Sequence, residues 1–193
     1  MPAATPRFGH AWGMARILTP LLDTADFPLA ELCAARLDGE LYAVDDCFAP
    51  VDEADTMHLR AAALWREMPS RVTAERASAL WVFGVRDAPP NRHTLCISLA
   101  TRARVSRSSR WLVRERVLAP SDVQQIGGMS VVTPLRAAVD ILTAEGPYGA
   151  EQRRCVLELM ALGGFGAEHC MARLYARPST PGTRAARQRL EAA

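Results

Sequence analysis

The sequence predicts an α+β fold. Apolar residues recur at helical spacing toward both ends of the chain, whereas apolar and polar residues alternate along several segments near its centre. Helices that flank a central group of strands, instead of alternating with them, are typical of this fold class. The 193 residues are 49% hydrophobic, which supplies enough apolar side chains for a sizeable core.

The N-terminal part of the chain is predicted to form a helix followed by a hairpin. Apolar residues lie on one face of a helix over residues 28–37, and Pro28 suits its first turn. Two short alternating segments, 40–44 and 47–51, follow it and indicate a hairpin. An additional short helix is expected over residues 15–22.

Two further helices are predicted before the strands. The first covers residues 55–68, with Asp55 or Thr56 as its N-cap. The second covers residues 74–83, where Thr73 is expected to cap the N-terminus and a glycine follows the last residue.

The centre of the chain carries the strand signals. Alternation predicts strands over residues 93–99 and 111–118 and a hairpin over 123–132 with its turn at Gly127-Gly128. Thr133-Pro134 then starts a helix, since a hydroxyl N-cap followed by proline is a strong initiation signal. Three C-terminal helices are expected over residues 150–162, 166–175 and 182–190.

All 23 basic residues of the chain are arginine, and lysine is absent. A chain without lysine has no Walker A loop, no Schiff-base chemistry and no kinase-type lysine ion pair. Catalysis is therefore the least favoured class of function. We expect no enzyme activity and no cofactor.

Charge is distributed in blocks although the formal net charge is only +2. Residues 21–55 contain ten acidic residues and one arginine, whereas residues 99–120 contain six arginines and one glutamate. The basic segment supplies five candidate residues for nucleic-acid binding: Arg102, Arg104, Arg107, Arg110 and Arg114. Arginine is always charged and binds phosphates bidentately. The same segment could equally pair with the acidic block of its own chain.

No constellation of residues in the sequence indicates a metal site or a nucleophile. Cys155 with His169-Cys170 has no standard zinc spacing, and the carboxylates at 52, 53 and 55 are expected to favour a helix start rather than bind a cation. No serine has a sequence context that nominates a histidine and a carboxylate partner. Five cysteines without a CxxC pair, no apolar run of membrane-spanning length and no signal peptide predict a cytoplasmic protein with reduced thiols.

Residues 58–142 carry a resemblance to a known family. The matching segments are HLRAAAL at His58–Leu64, SALWVFGV at Ser78–Val85, RVSRSSRWLVRERVL at Arg104–Leu118 and VLAPSDVQQIGGMSVVTPLRAAVDIL at Val117–Leu142. In this combination the chain resembles the AbiEi-type antitoxins, which belong to type IV toxin–antitoxin systems and are widespread in actinobacteria. The helix-opening element of that family corresponds here to Thr133, Pro134, Arg136 and Asp140. Arg136 and Asp140 are spaced i, i+4 and can pair on one helix face.

The resemblance implies two domains and a binding function. Residues 1–53 would be a truncated winged-helix remnant, and residues 54–193 would be an AbiEi-like antitoxin domain of helices around a small, mostly antiparallel sheet. Partners implied by the family are promoter DNA and a nucleotidyltransferase-type toxin. The N-terminal segment departs from the family pattern, because a winged helix-turn-helix needs about three helices and a basic recognition helix.

Two other hypotheses stay open. The chain could be a protein-binding descendant that no longer binds DNA, as its acidic N-terminal segment indicates. It could also be a restriction-endonuclease-like nuclease using some of the four glutamates after Leu142: Glu145, Glu151, Glu158 and Glu168. Such sites combine clustered carboxylates with a lysine, which this chain lacks.

Overall fold

A computed structural model describes residues 20–99, 105, 108–176 and 182–191 of the chain. The described residues form a mixed α+β fold, as the sequence predicts. The helices are α1 (Leu29–Leu37), α2 (Met57–Glu67), α3 (Arg76–Val82), α4 (Pro134–Thr143), α5 (Ala150–Gly163), α6 (Ala167–Tyr175) and α7 (Thr183–Glu191), with a 3-10 turn at Pro120–Asp122. The strands are β1 (Leu41–Val44), β2 (Cys47–Pro50), β3 (Thr73–Ala74), β4 (His93–Ser98), β5 (Trp111–Arg116), β6 (Val123–Ile126) and β7 (Met129–Val132).

Five strands form the main sheet in the order β5-β4-β3-β7-β6. Two neighbouring pairs, β3–β4 and β6–β7, are antiparallel, while β4–β5 and β3–β7 are parallel. The expectation of a mostly antiparallel sheet is therefore met only in part, since two of the four strand pairs are antiparallel and two are parallel. Alternation in a sequence identifies a strand but not its direction, which depends on how the connections between strands cross the sheet.

Residues 73–74 differ from the sequence prediction. Thr73 was expected to cap a helix, but Thr73 and Ala74 form the central strand β3, with β4 on one side and β7 on the other. The helix that follows starts at Arg76, with Glu75 in the N-cap position. Strand pairing on both edges satisfies the backbone of these residues, and this tertiary contact outweighs the local capping preference of threonine.

The N-terminal hairpin is confirmed, with β1 and β2 paired from Leu41–Pro50 to Val44–Cys47. Leu22 extends it by a bridge to Phe48, in which each backbone N–H donates to the other residue's carbonyl oxygen at 2.8 Å. The predicted helix over residues 15–22 is therefore wrong for residues 20–22, and residues 15–19 lie outside the described part. An extended pairing partner in the hairpin is what keeps Leu22 out of a helix.

The core lies between the main sheet and the helices, with α4 at its centre. Helix α4 packs against α3, α5, α6 and α7, while α2 covers β6 and β7. Leu64, Leu95, Val131, Leu142 and Leu159 have no exposed surface. In the part of the chain that the structure describes, no helix has both the length and the apolar composition needed to cross a membrane. The position of α4 makes it the element through which side chains from the sheet and the C-terminal helices meet.

Candidate functional site

The start of helix α4 is built as the sequence predicts. The Thr133 hydroxyl accepts a hydrogen bond from the backbone N–H of Arg136 at 3.4 Å, and Pro134 is the first helical residue. The backbone N–H of Thr133 donates to the carbonyl oxygen of Asp122 at 2.8 Å. Because the cap fixes the first turn, the side chain of Arg136 points from a defined place on the helix into the core.

Arg136 is buried, with 7% of its surface exposed, and it binds two carboxylates. Its Nε donates to Asp140 Oδ1 at 3.1 Å, which confirms the i, i+4 pair. Its Nη1 donates to Asp122 Oδ2, also at 3.1 Å, and Arg173 of α6 binds the other oxygen of Asp122. The pair visible in the sequence is thus one part of a network that joins α4, the 3-10 turn and α6.

A second buried carboxylate extends this network to the sheet. Glu75 has no exposed surface, and its Oε1 accepts from Arg114 Nε at 3.0 Å while Oε2 accepts from Arg116 Nε at 3.4 Å. Arg116 also lies 3.9 Å from Asp140 Oδ1, so the two parts are connected. We call the whole set the arginine–carboxylate cluster: Glu75, Arg114, Arg116, Asp122, Arg136, Asp140 and Arg173.

The carboxylates of the cluster differ in their electrostatic environment. Burial raises the pKa of Asp140 above its ordinary value, although Arg136 opposes that shift. For Asp122, burial acts in the same direction, but the backbone N–H of Ala119 and the guanidinium of Arg173 outweigh it and hold the pKa of Asp122 below its ordinary value. Asp140 Oδ2 is buried and has no hydrogen-bond partner. Of these two aspartates, Asp140 is therefore the one whose charge is less well compensated.

A separate chain of buried polar side chains connects the N-terminal hairpin to the sheet. Ser78 Oγ lies 3.0 Å from His93 Nδ1, and His93 Nε2 lies 2.9 Å from Asp45 Oδ2. Asp45 Oδ1 accepts from Arg110 Nη2 at 3.1 Å, and Ser78 Oγ also accepts the backbone N–H of Thr94 at 2.8 Å. We call Ser78, His93 and Asp45 the serine–histidine–aspartate chain.

The serine–histidine–aspartate chain contains the residue types of a hydrolase triad, but its buried position gives it a structural role. Ser78 and His93 have no exposed surface, so no substrate reaches the hydroxyl. Both ring nitrogens of His93 have a partner, Ser78 at Nδ1 and Asp45 at Nε2, so the three side chains satisfy one another within the core. Sequence reasoning missed these residues, because they come from three separate elements and no local spacing relates them.

Two of the five candidate nucleic-acid residues lie in the described part of the chain, and both bind carboxylates. Arg110 pairs with Asp45 and Asp46 of the acidic block, and Arg114 pairs with Glu75. The alternative in which the basic segment pairs with the acidic block therefore holds for Arg110. The remaining candidates lie outside the described residues: Arg102, Arg104 and Arg107.

Within the described ranges, no three histidine, cysteine, aspartate or glutamate side chains are grouped closely enough to hold a metal ion. Burial raises the pKa of the Cys155 thiol, and that of Cys170 to about 11. At the start of α2, Thr56 is the residue that caps the helix, while Asp55 binds Arg60.

No family model matches the sequence, and no curated protein matches it. A solved structure of the RV2827C protein from Mycobacterium tuberculosis is similar, with 19% sequence identity and a TM-score of 0.47. That match covers 89% of this chain and 71% of the other. A likeness at this level transfers no function.

Replacing Arg136 tests the energetic weight of the cluster. The Arg136→Met variant leaves Asp122 and Asp140 buried without their shared guanidinium, and we expect a loss of about 3–5 kcal/mol in the free energy of unfolding. Urea unfolding followed by circular dichroism measures it.

Arg154→Met is the matched control, because Arg154 also pairs with an acidic residue at i+4, Glu158, but on an exposed surface. We expect almost no change in its unfolding free energy, since exposed pairs contribute little. Equal effects of the two variants would contradict the assignment of Arg136 as a buried connector.

The serine–histidine–aspartate chain predicts a dependence of stability on pH. Burial alone would raise the pKa of Asp45, but hydrogen bonds from His93 and Arg110 lower it below its ordinary value of 3.8. A carboxylate with a lowered folded-state pKa contributes stability above its unfolded pKa, and that contribution is lost as the pH falls below 3.8. At about pH 6 the Asp45→Asn variant should be about 2 kcal/mol less stable, and this difference should shrink toward about pH 3.

Asparagine suits this test because it tolerates the left-handed backbone of Asp45, whose φ is 58°. Unfolding in urea at several pH values gives the measurement, and Asp46→Asn, which changes a half-exposed neighbour, serves as control. A stability difference for Asp45→Asn that is constant across the pH range would refute the charge-based role of Asp45.

Proposed function

We propose that this chain is an AbiEi-like antitoxin and transcriptional regulator of a type IV toxin–antitoxin system, which acts by binding and without catalysis. The supporting observation is the placement of the residues that carry the resemblance. The segments 58–64, 78–85 and 117–142 lie on α2, α3, β6, β7 and α4, which pack around one core. The motif residues Arg136 and Asp140 hold this unit together from within. A likeness spread along the sequence thus corresponds to one contiguous structural unit.

Protein binding is the primary activity in this proposal. In this family a DNA-reading helix would be expected at the position of α1. Helix α1 exposes Leu29 and Leu37, and its charged residues are one acidic residue, Glu31, and one basic residue, Arg36. Recognition helices that enter a DNA groove present basic and amide side chains. Exposed apolar residues instead favour a protein partner, which the resemblance identifies as a nucleotidyltransferase-type toxin.

Promoter binding is the second activity, and its support is the basic segment. Arg110 and Arg114 are held by carboxylates, so we assign the phosphate contacts to Arg102, Arg104 and Arg107. Backbone contacts of this kind bind DNA without reading its sequence. They would add affinity for DNA in general, the operon's promoter included, without a winged helix.

A nuclease is the less favoured alternative. Of the four glutamates in question, Glu151 binds Arg86, Glu158 binds Arg154 and Glu168 binds His169. Each of these three carboxylates has a different partner, whereas metal-dependent cleavage needs carboxylates that converge on one ion. The geometry therefore favours binding over hydrolysis.

Co-expression tests the antitoxin activity. A nucleotidyltransferase-like protein encoded beside this gene should arrest growth when produced alone, and growth should recover when this chain is produced with it. Leu64→Asp is the control, because a charge at this fully buried position prevents core formation and should abolish the recovery. Persistent arrest in the presence of the folded wild-type chain would exclude neutralisation of that toxin.

A mobility-shift assay with the upstream region of the gene tests DNA binding. We expect a shift at low salt that weakens steeply as salt rises, since counterion release drives phosphate binding. Changing Arg102, Arg104 and Arg107 together to glutamine should remove the shift, whereas Arg36→Gln should keep it. The absence of a shift at low salt would leave only the protein-binding half of the proposal.

A further inference from the structure

The arginine–carboxylate cluster carries more positive than negative charge. Its members are four arginines and three carboxylates, and Arg76, at the start of α3, adds a fifth guanidinium beside them. Burial and the nearby charge of Arg114 lower the pKa of Arg76, Glu75 opposes that shift, and the charge of Arg116 adds to it. Five guanidinium groups against three carboxylates leave two positive charges in excess.

The excess charge lies around Glu75, where three arginines converge. Arg114 donates to Glu75 Oε1 from Nε at 3.0 Å and from Nη2 at 2.5 Å, and Arg116 donates to Oε2 from Nε at 3.4 Å. Arg76 follows Glu75 in the chain and lines the same cavity as Asp140, which lies 3.9 Å from Arg116. The three guanidinium groups therefore surround the same two carboxylates.

These arginines keep hydrogen-bond donors at the surface. The side chains of Arg114 and Arg116 are 28% and 31% exposed, and Arg76 is exposed as well. Within the described ranges, Arg76 has neither an ion pair nor a hydrogen bond from its side chain, and Glu75 occupies only one side of each of its two partners. Glu115, between these partners on β5, alternates to the opposite face of the strand and does not compensate them.

We propose that Arg76, Arg114 and Arg116 form a binding site for a phosphate group. A guanidinium presents paired N–H donors that match phosphate oxygens, and a doubly charged phosphate balances the excess charge of the cluster. Glu75 already holds two of the three arginines in place, so only the Arg76 side chain becomes ordered on binding. This site does not depend on the proposed antitoxin function.

The phosphate belongs either to a nucleic-acid backbone or to a small phosphorylated molecule, since both present the same group. Other ligand classes fit less well. A cation would meet three guanidinium groups, and a carboxylate carries a single charge, which leaves part of the excess uncompensated.

Thermal unfolding of the full chain at constant ionic strength tests the class of ligand. Inorganic phosphate at about 20 mM and about pH 7.5 should raise the melting temperature by about 2–5 °C, because a ligand that binds only the folded state stabilises it. Acetate at the same ionic strength should raise it by less than about one third of that amount.

Variants assign the binding to these arginines, with titration calorimetry as the measurement. Arg76→Gln should weaken phosphate binding at least about fivefold, while Arg36→Gln on α1 removes the same charge elsewhere and should leave binding unchanged. Arg76→Glu should abolish binding and also raise the melting temperature of the ligand-free protein, because the new carboxylate takes the place of the phosphate. A purely structural role of Arg76 predicts a lower melting temperature instead.

The triple glutamine variant at Arg102, Arg104 and Arg107 should still bind inorganic phosphate, so a failure of the promoter contact is distinguishable from a failure of this site. Adenosine 5′-monophosphate and a duplex DNA of about 20 base pairs and arbitrary sequence distinguish the two sources of phosphate. The natural source is the probe whose binding Arg76→Gln weakens at least about tenfold. The proposal is overturned if phosphate leaves the melting temperature unchanged, if acetate stabilises equally, or if Arg76→Gln retains wild-type affinity for phosphate.

Discussion

The burial of Arg136 between two carboxylates is the interaction on which the rest of this structure depends. One guanidinium binds Asp140 in its own helix and Asp122 in the turn before β6, and Asp122 in turn binds Arg173 of α6. Asp140 also lies near Arg116 of β5. Arg116 in turn binds Glu75, the residue between β3 and α3, so the cluster connects α4 to the sheet and to the start of α3. Because a buried charge without a partner is strongly unfavourable, these elements are constrained to one mutual arrangement.

The exclusive use of arginine has a structural consequence. A guanidinium has five donors in a fixed plane and serves several acceptors at once, which an ammonium group does less well. Arg60 shows this, since it binds both oxygens of Asp55 and the carbonyl oxygens of Trp81 and Arg86. Arg189 likewise binds the carbonyl oxygens of Leu142, near the end of α4, and of Ala144 and Gly146 after it, and it lies over the Tyr148 ring. Of the arginines that suggest nucleic-acid binding in the sequence, Arg110 and Arg114 are internal connectors in the structure.

Much of the secondary structure could be predicted, because its signals are local. Thr133 and Thr56 cap their helices, and Gly127-Gly128 turns the β6–β7 hairpin, as the sequence indicates. The candidate site could be predicted only where its members share a helix, as Arg136 and Asp140 do. Glu75 gave no signal, because its partners Arg114 and Arg116 are about forty residues away in the sequence, on β5, which is two strands from β3 in the sheet.

The order of the residues is enough to predict the fold class, most of the element boundaries, the cap and the i, i+4 pair of α4, and the weakness of any case for lysine-dependent catalysis. Three features depend instead on the folded arrangement: the mixed direction of the strands, the conversion of Thr73–Ala74 into a central strand, and the pairing of Arg110 with the acidic block. The reason is physical: capping and periodicity act over a few residues, whereas strand direction and buried charge pairs depend on segments that meet only when the chain has folded.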